Sequence, residues 1–125
     1  MKKNDFGKEN FARALKKLEQ FLAEPIRSER EQAGIIQAFE FCFETTWKTL
    51  QKRAHAEKLA IASPKKAFEF ALQAGFINPS EEGLWVQMLE DRNLTTHTYE
   101  ETLAKAIADR VPMYFKLMSD LIGKI

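Results

Sequence analysis

The sequence predicts an all-α fold: an antiparallel up-and-down four-helix bundle with one short additional connecting helix, formed as a single domain over residues 1–125. Five glycines and four prolines are too few for a protein rich in strands and turns. Apolar residues recur at intervals of three and four, which is the spacing of helices with one buried face. Apolar residues make up 45% of the chain and charged residues 30%, a balance that suits one core beneath a solvated surface.

The first two helices are defined by their apolar stripes and by the break between them. We expect the first helix to run from about Lys8 to Ala23 and to end before Pro25. Ser28 followed by Glu31 has the spacing of a capping box, which predicts that the second helix begins there and continues to about residue 58. The stripes are Phe11, Leu15, Leu18 and Leu22 in the first helix and Ile35, Phe39, Phe43, Trp47 and Leu50 in the second.

A short helix and a longer one follow. Ser63 is placed to cap the short helix, with Pro64 at its first position and Gly75 at its end. Ser80 is the expected cap of the next helix, which should end near residues 92–95. The buried stripe of this helix is predicted to consist of Leu84, Trp85, Met88 and Leu89.

The last helix is predicted from a second capping-box spacing, Thr98 with Glu101. Pro112 lies inside it, and because proline removes a backbone donor and clashes with the preceding turn, we expect a kink near Ala108. The buried stripe is predicted to contain Leu103, Ile107, Tyr114, Leu117 and Leu121.

Charge and composition exclude several functional classes. A net charge of +1 gives no global attraction to nucleic acid or to a membrane, and no apolar run approaches the roughly 20 residues that cross a bilayer. Acidic and amide residues follow Lys2 and Lys3 where a signal peptide would be apolar, so we expect a cytoplasmic protein with no membrane partner. Cys42 is the single cysteine, which excludes an internal disulfide and a multi-cysteine zinc site. We expect Cys42 in the core, and we expect neither a metal nor a cofactor.

Two surface features suggest contacts with other molecules. Phe41 lies off the main stripe of the second helix, which implies a second apolar face for homodimerisation or docking. A basic run between positions 48 and 66 is opposed only by Glu57; it is either a solvated helix end or a docking surface for RNA or an acidic partner. Within it we expect His55 to be solvated. The run consists of Lys48, Lys52, Arg53, Lys58, Lys65 and Lys66.

The segment that can carry chemistry lies where the fourth helix ends. Arg92, Asn93, His97 and Tyr99 collect there. Metal-independent cleavage of RNA requires a group of near-neutral pKa to take the proton of the 2′-hydroxyl, and a fixed positive charge to hold the phosphoryl oxygens. His97 and Arg92 can fill these roles, Asn93 can orient the imidazole or the phosphate, and Tyr99 supplies a modifiable hydroxyl.

The same residues allow a purely structural interpretation. Arg92 would then pair with Asp91 or Glu100, and His97 and Tyr99 would cap helix ends. The catalytic interpretation favours a dimeric site, because acid and base catalysis need two proton-transfer groups and each chain offers one histidine in this segment. A twofold axis would supply the second His97.

A family resemblance adds to these arguments. The pattern R-N-x-x-x-H-x-Y, residues 92–99, resembles the signature of HEPN-domain proteins that are encoded beside minimal nucleotidyltransferases. Residues 34–51 resemble that family's helix with the pattern G-x-I-x-x-F-E-x-x-x-E-x-x-W-K-x-L. Residues 63–77 and the later W-x-x-M-L-E-x-R-N extend the likeness to about residues 8–122. The residues of the second block that we expect to contact a partner or substrate are Glu40, Glu44, Trp47 and Lys48.

The resemblance implies a HEPN-like four-helix bundle that dimerises and pairs with a separate minimal nucleotidyltransferase. The chain has no Gly-Ser followed by Asp-x-Asp, so it is not itself the transferase. Two functions stay open. In one, the chain is a toxin that cleaves RNA with Arg92, Asn93 and His97 and is silenced by transfer of AMP to Tyr99. In the other, it is a non-catalytic substrate-binding subunit of the transferase.

Overall fold

Five α-helices account for most of the computed structural model, which describes residues 5–125. Two single turns of 3₁₀ helix, Pro79–Glu81 and Thr95–His97, precede and follow the fourth helix. From residue 5 onward, no helix is long and apolar enough to cross a membrane. The predictions about Lys2 and Lys3 and about a domain start at residue 1 lie outside the described residues. The helices are α1 (Lys8–Leu22), α2 (Glu29–Ala56), α3 (Pro64–Gln73), α4 (Glu82–Leu94) and α5 (Glu101–Ile122).

The helices pack as the predicted four-helix bundle. α1, α2 and α5 contact one another, α4 packs on α5, and the short helix α3 connects α2 with α4 and contacts both. The all-α prediction is confirmed. α5 continues through Pro112, and a kink near Ala108 stays a prediction. Most side chains of the predicted stripes form the core, whose largest fully buried members include Phe11, Leu18, Phe39, Phe43, Leu50, Met88, Ile107, Tyr114 and Leu121. Five predicted members are only half-buried and pack against the core: Leu22, Trp47, Leu84, Leu89 and Leu103.

Two predicted helix starts are confirmed by their caps. The hydroxyl of Ser28 accepts a hydrogen bond from the backbone N–H of Glu31 at 3.1 Å. The carboxylate of Glu31 accepts from the N–H of Arg27 at 2.5 Å, one residue earlier than an ideal capping box. Ser63 caps α3 in the same way. After α3, Gly75 has a φ of 83°, a left-handed conformation that glycine adopts without strain.

The predicted cap of α4 is wrong. Ser80 lies inside the 3₁₀ turn Pro79–Glu81, and its backbone N–H donates to the side chain of Asn78 at 3.0 Å. Asn78 therefore caps the turn, and α4 begins only at Glu82. The sequence N-P-S contains two capping residues, Asn78 and Ser80, on either side of Pro79, and a proline at the first helical position favours the earlier one as the cap.

The predicted capping box at the start of α5 is also wrong. The hydroxyl of Thr98 donates backward to the carbonyl of Thr95 at 2.9 Å and so closes the preceding turn. The cap is Glu100, whose carboxylate accepts from the N–H of Thr102 at 3.0 Å. α5 therefore starts at Glu101, three residues after the residue predicted to cap it.

The second apolar face of α2 is present at Phe41. Its side chain is 57% exposed, whereas its neighbour Cys42 is fully buried in the core, as predicted. Phe41 lines an open groove of about 440 Å³ between α1 and α2, together with Lys16 and Lys17. Use of this face by a second copy of the chain stays a prediction.

Burial of Cys42 should make the protein less stable at high pH. Burial raises the pKa of the thiol from 9.0 to about 12, so the thiol ionises more readily in the unfolded chain than in the folded chain. Its contribution to stability is complete below pH 9.0 and is lost as the pH rises toward 12. Between these values the native chain should lose about 1.4 kcal/mol per pH unit relative to Cys42→Ala. Urea unfolding of both chains at several pH values measures the difference, and parallel curves would contradict it.

Candidate functional site

The R-N-x-x-x-H-x-Y motif lies at the junction between α4 and α5. Arg92 and Asn93 belong to the last turn of α4, His97 ends the 3₁₀ turn, and Tyr99 lies in the three-residue segment that leads to α5. Buried Thr95 organises this junction, because its hydroxyl lies 2.8 Å from the carbonyl oxygen of Arg92 at the helix end. Short polar side chains that bond to nearby backbone groups in this way terminate helices.

The guanidinium of Arg92 faces α2. Its Nη1 lies 3.5 Å from Glu40 Oε2, and its Nη2 lies 3.7 Å from Glu44 Oε1. Nη1 also donates to the hydroxyl of Thr95 at 3.2 Å, and that hydroxyl lies 2.5 Å from Glu40 Oε2. The Nε atom is buried and has no hydrogen-bond partner among residues 5–125. Only 26% of the Arg92 side chain is exposed, so its charge is held between two carboxylates at the edge of the bundle.

The interpretation that Arg92 pairs with Asp91 or Glu100 is therefore wrong. Asp91 is buried and accepts two hydrogen bonds from Arg110, at 2.7 and 2.9 Å, and one from the hydroxyl of Tyr114 at 2.5 Å. Adjacent residues of a helix point about 100° apart, so Asp91 enters the α4–α5 interface while Arg92 turns toward α2. The carboxylate raises the pKa of Arg110, and burial raises the pKa of Tyr114, so both keep their protons.

Three of the four residues expected to contact a partner or substrate make contacts within the chain. Glu40 and Glu44 contact Arg92, and the indole Nε1 of half-buried Trp47 donates to Glu44 Oε2 at 3.3 Å. Lys48 is exposed and makes no ion pair or side-chain hydrogen bond with any described residue. Of the four, Lys48 is thus the one left free for a ligand.

His97 and Tyr99 form a separate exposed pair. The Tyr99 side chain is 83% exposed, and its hydroxyl lies 3.5 Å from His97 Nδ1. The two rings meet edge to face with their centroids 6.0 Å apart. The side chain of Asn93 is exposed and bonds to no residue in the described part of the chain. An open groove of about 410 Å³ lies beside Tyr99, between the starts of α2 and α5.

The site therefore consists of two adjacent groups with different chemistry. The exposed imidazole of His97 can accept or donate a proton, and its Nδ1 lies 3.5 Å from the Tyr99 hydroxyl. The cation of Arg92 is held in place, yet two carboxylates offset its charge. Within residues 5–125, no group of three or more His, Cys, Asp or Glu side chains is arranged to hold a metal ion.

Sequence reasoning missed Thr95 and the Asp91, Arg110 and Tyr114 cluster. A signal for the cluster was present, because Asp91 follows Met88 by three residues and so continues the buried stripe of α4. A carboxylate on a buried stripe requires donors, and Arg110 and Tyr114 share one face of α5 at a spacing of four. For Thr95 no signal distinguishes it from its neighbour Thr96, which is exposed.

Comparison with known proteins identifies relatives over nearly the whole chain. Residues 7–125 match the family described as nucleotidyltransferase substrate binding protein like. A Haemophilus influenzae protein named probable ribonuclease HepT is 30% identical over 98 residues, which cover 74% of this chain and 66% of that protein. The chain thus spans just under two thirds of the length of this relative.

Two solved structures have the same fold. The protein ttk003001694 from Thermus thermophilus is 38% identical, with a TM-score of 0.85 over 91% of this chain and 97% of that one. HI0074 from Haemophilus influenzae is 25% identical, with a TM-score of 0.77 over 93% of this chain and 96% of that one. HI0074 was described as revealing the fold of a substrate binding domain of a nucleotidyltransferase.

Proposed function

The chain belongs to the nucleotidyltransferase substrate binding protein-like family, and from that membership we propose that it is the HEPN-type partner of a separate minimal nucleotidyltransferase. In this proposal the chain is a homodimeric, metal-independent ribonuclease that acts as a toxin in the cytoplasm. The transferase silences it by attaching AMP to Tyr99.

Tyr99 carries the proposal. The chain has two tyrosines, and Tyr114 is fully buried and bonded to Asp91, so Tyr99 is the phenol that a second protein can reach. Its oxygen would attack the α-phosphorus of ATP while the bond to the β-phosphate breaks and pyrophosphate leaves. His97 Nδ1 lies 3.5 Å from the hydroxyl and would accept the phenolic proton.

RNA cleavage would use His97 from both chains of a dimer. One imidazole takes the proton of a 2′-hydroxyl, the 2′-oxygen attacks the adjacent phosphorus, and the bond to the 5′-oxygen breaks. The second imidazole protonates the leaving 5′-oxygen, so the products are a 2′,3′-cyclic phosphate and a 5′-hydroxyl. Arg92 would stabilise the charge on the phosphoryl oxygens, and Asn93, exposed beside it, would orient the phosphate.

The proximity of Tyr99 to His97 explains why the modification would silence cleavage. An AMP on Tyr99 adds a bulky group with a negative phosphate next to the imidazole. The phosphate repels the RNA backbone, and the nucleoside fills the space that the scissile bond needs. One modification would therefore exclude RNA from the site both by charge repulsion and by steric hindrance.

A second candidate function, a non-catalytic substrate-binding subunit, is favoured by one observation. Glu40 and Glu44 both lie within 4.0 Å of the Arg92 guanidinium, so a phosphate must displace a carboxylate before Arg92 can bind it. In a subunit that only presents a substrate to the transferase, this ion pair would hold α4 against α2. Exposed Lys48 and Phe41 would then be the contacts for the partner.

The mass of the intact chain after co-expression with its nucleotidyltransferase tests the proposal. We expect a gain in whole multiples of an AMP residue on the native chain and no gain on Tyr99→Phe, because that change removes the attacking oxygen and little else. Tyr99→Phe should cleave RNA as the native chain does. An unmodified native chain that still co-purifies with the transferase would instead support the substrate-binding subunit.

A further inference from the structure

Three basic side chains on α2 are exposed and unpaired. Lys48, Lys52 and His55 make no ion pair or side-chain hydrogen bond with any residue from 5 to 125. Arg53, within the same sequence run, differs. It pairs with Glu57 at 3.1 Å, and its Cζ lies over the rings of Phe6 and Phe76, 5.5 and 5.2 Å from their centroids. Arg53 therefore has a structural role, whereas the other three, here called the α2 basic stripe, are free to bind a ligand.

The α2 basic stripe begins beside the motif. Glu44, which contacts Arg92, lies one helical turn before Lys48. His55 lies two turns after Lys48, close to the face of α2 that carries Glu44 and Lys48. At 1.5 Å per residue, Lys48 lies about 6 Å and His55 about 16 Å beyond Glu44 along the helix axis. A ligand that reaches the motif can therefore extend over the stripe without leaving the surface of α2.

A groove adjoins the far end of the stripe. It has a volume of about 410 Å³ and separates the last turns of α2 from the segment that leads to α3. The side-chain amide of Gln51 donates to the carbonyl of Ile61 at 2.6 Å, which holds this segment against the helix, and Leu59 is 47% exposed. The lining thus combines cations with apolar surface: Gln51, Lys52, His55, Leu59, Ala60 and Ile61.

We propose that the α2 basic stripe and this groove bind a single-stranded RNA, with Lys48 and Lys52 on its phosphates and one unpaired nucleotide in the groove. Cations one helical turn apart follow the charge of a phosphate backbone, and an apolar wall offers a surface for a base, the combination by which proteins hold single strands. The continuity with Arg92 favours RNA over an acidic protein surface. This inference rests on the proposed function, since the strand would be the one that His97 cleaves.

RNA binding by a chain with impaired cleavage tests the inference. The His97→Ala chain, which is expected to cleave RNA at least about 100-fold more slowly, would be titrated into fluorescein-labelled oligouridine of about a dozen nucleotides over a range of salt concentrations. Adding Lys48→Glu and Lys52→Glu should weaken binding at least tenfold. Loss of two phosphate contacts should also reduce the salt slope of log Kd by about 1.4. The matched control adds Lys116→Glu and Lys124→Glu, which make the same charge change at exposed positions on and just after α5 whose side chains pair with no described residue.

The control separates a site from a general charge effect. RNA binding that is weakened equally in both double variants, or in neither, would overturn the inference. A stripe variant that still binds RNA but no longer binds the transferase would also overturn it. Lys48→Ala with Lys52→Ala, checked by circular dichroism, repeats the test with a smaller charge change. Cleavage by the native chain is scored separately. If only the stripe variant loses RNA binding and the native chain does not cleave RNA, the ribonuclease function is contradicted and the RNA-binding role of the α2 basic stripe is supported. If the native chain cleaves RNA and the stripe variant binds it normally, the ribonuclease function is supported and the role of the stripe is contradicted.

Discussion

The His97→Ala chain is expected to cleave RNA about 100- to 10,000-fold more slowly than the native chain. His97 is exposed, lies at the helix junction, and carries the imidazole of the motif, the group there that can transfer a proton. Its loss removes general acid and general base together if both come from the two copies of His97 in a dimer. The measurement is single-turnover cleavage of a labelled RNA, with Thr96→Ala, an exposed neighbour, as the control.

A mixing experiment tests the dimeric part of this prediction, in which one imidazole acts as the base and the other as the acid. Native chains mixed with an excess of His97→Ala chains should lose activity beyond simple dilution as mixed dimers form. Activity that falls only in proportion to dilution would place both proton transfers within one chain, and undiminished cleavage by His97→Ala would remove the histidine from the mechanism.

The Asp91→Asn chain is expected to lose about 3 kcal/mol of unfolding free energy, with a fall in Tm of about 10 °C. Asp91 is buried and accepts three hydrogen bonds from Arg110 and Tyr114, which join α4 to α5. Breaking a buried ion pair by removing one partner typically costs about 3 to 5 kcal/mol. The lower end applies because the Arg110 side chain is 33% exposed and keeps access to water.

An exposed ion pair of α5 provides the matched control. Lys105 and Asp109 lie 3.0 Å apart with side chains 71% and 59% exposed, so Asp109→Asn makes the same chemical change at the surface. That variant should lose less than about 0.5 kcal/mol. Urea unfolding of the three chains measures the difference. Equal losses in the two variants would mean that the Asp91 cluster adds no more to stability than a surface pair.

The helices and their buried faces could be predicted because both depend on local sequence. Phe39 and Phe43 on α2, and Ile107 and Tyr114 on α5, repeat at helical spacing, and such a stripe must be buried wherever the helix packs. Helix starts were predicted where one capping residue stood alone, as at Ser28 and Ser63. They were mispredicted at Ser80 and Thr98, where several competing polar residues lie within three positions and the backbone of a 3₁₀ turn decides among them.

The candidate site could likewise be predicted only in part from the sequence. Sequence by itself determined which residues collect at the end of α4, since chain order places Arg92, Asn93, His97 and Tyr99 within eight positions. Only the tertiary structure decided that Arg92 turns to Glu40 and Glu44, more than 45 positions earlier, while Asp91 turns to Arg110. Helical periodicity determines the face of the helix on which a residue lies. The residue that it contacts depends on which helices pack together and on how they are aligned along their axes. That arrangement results from packing the whole core at once.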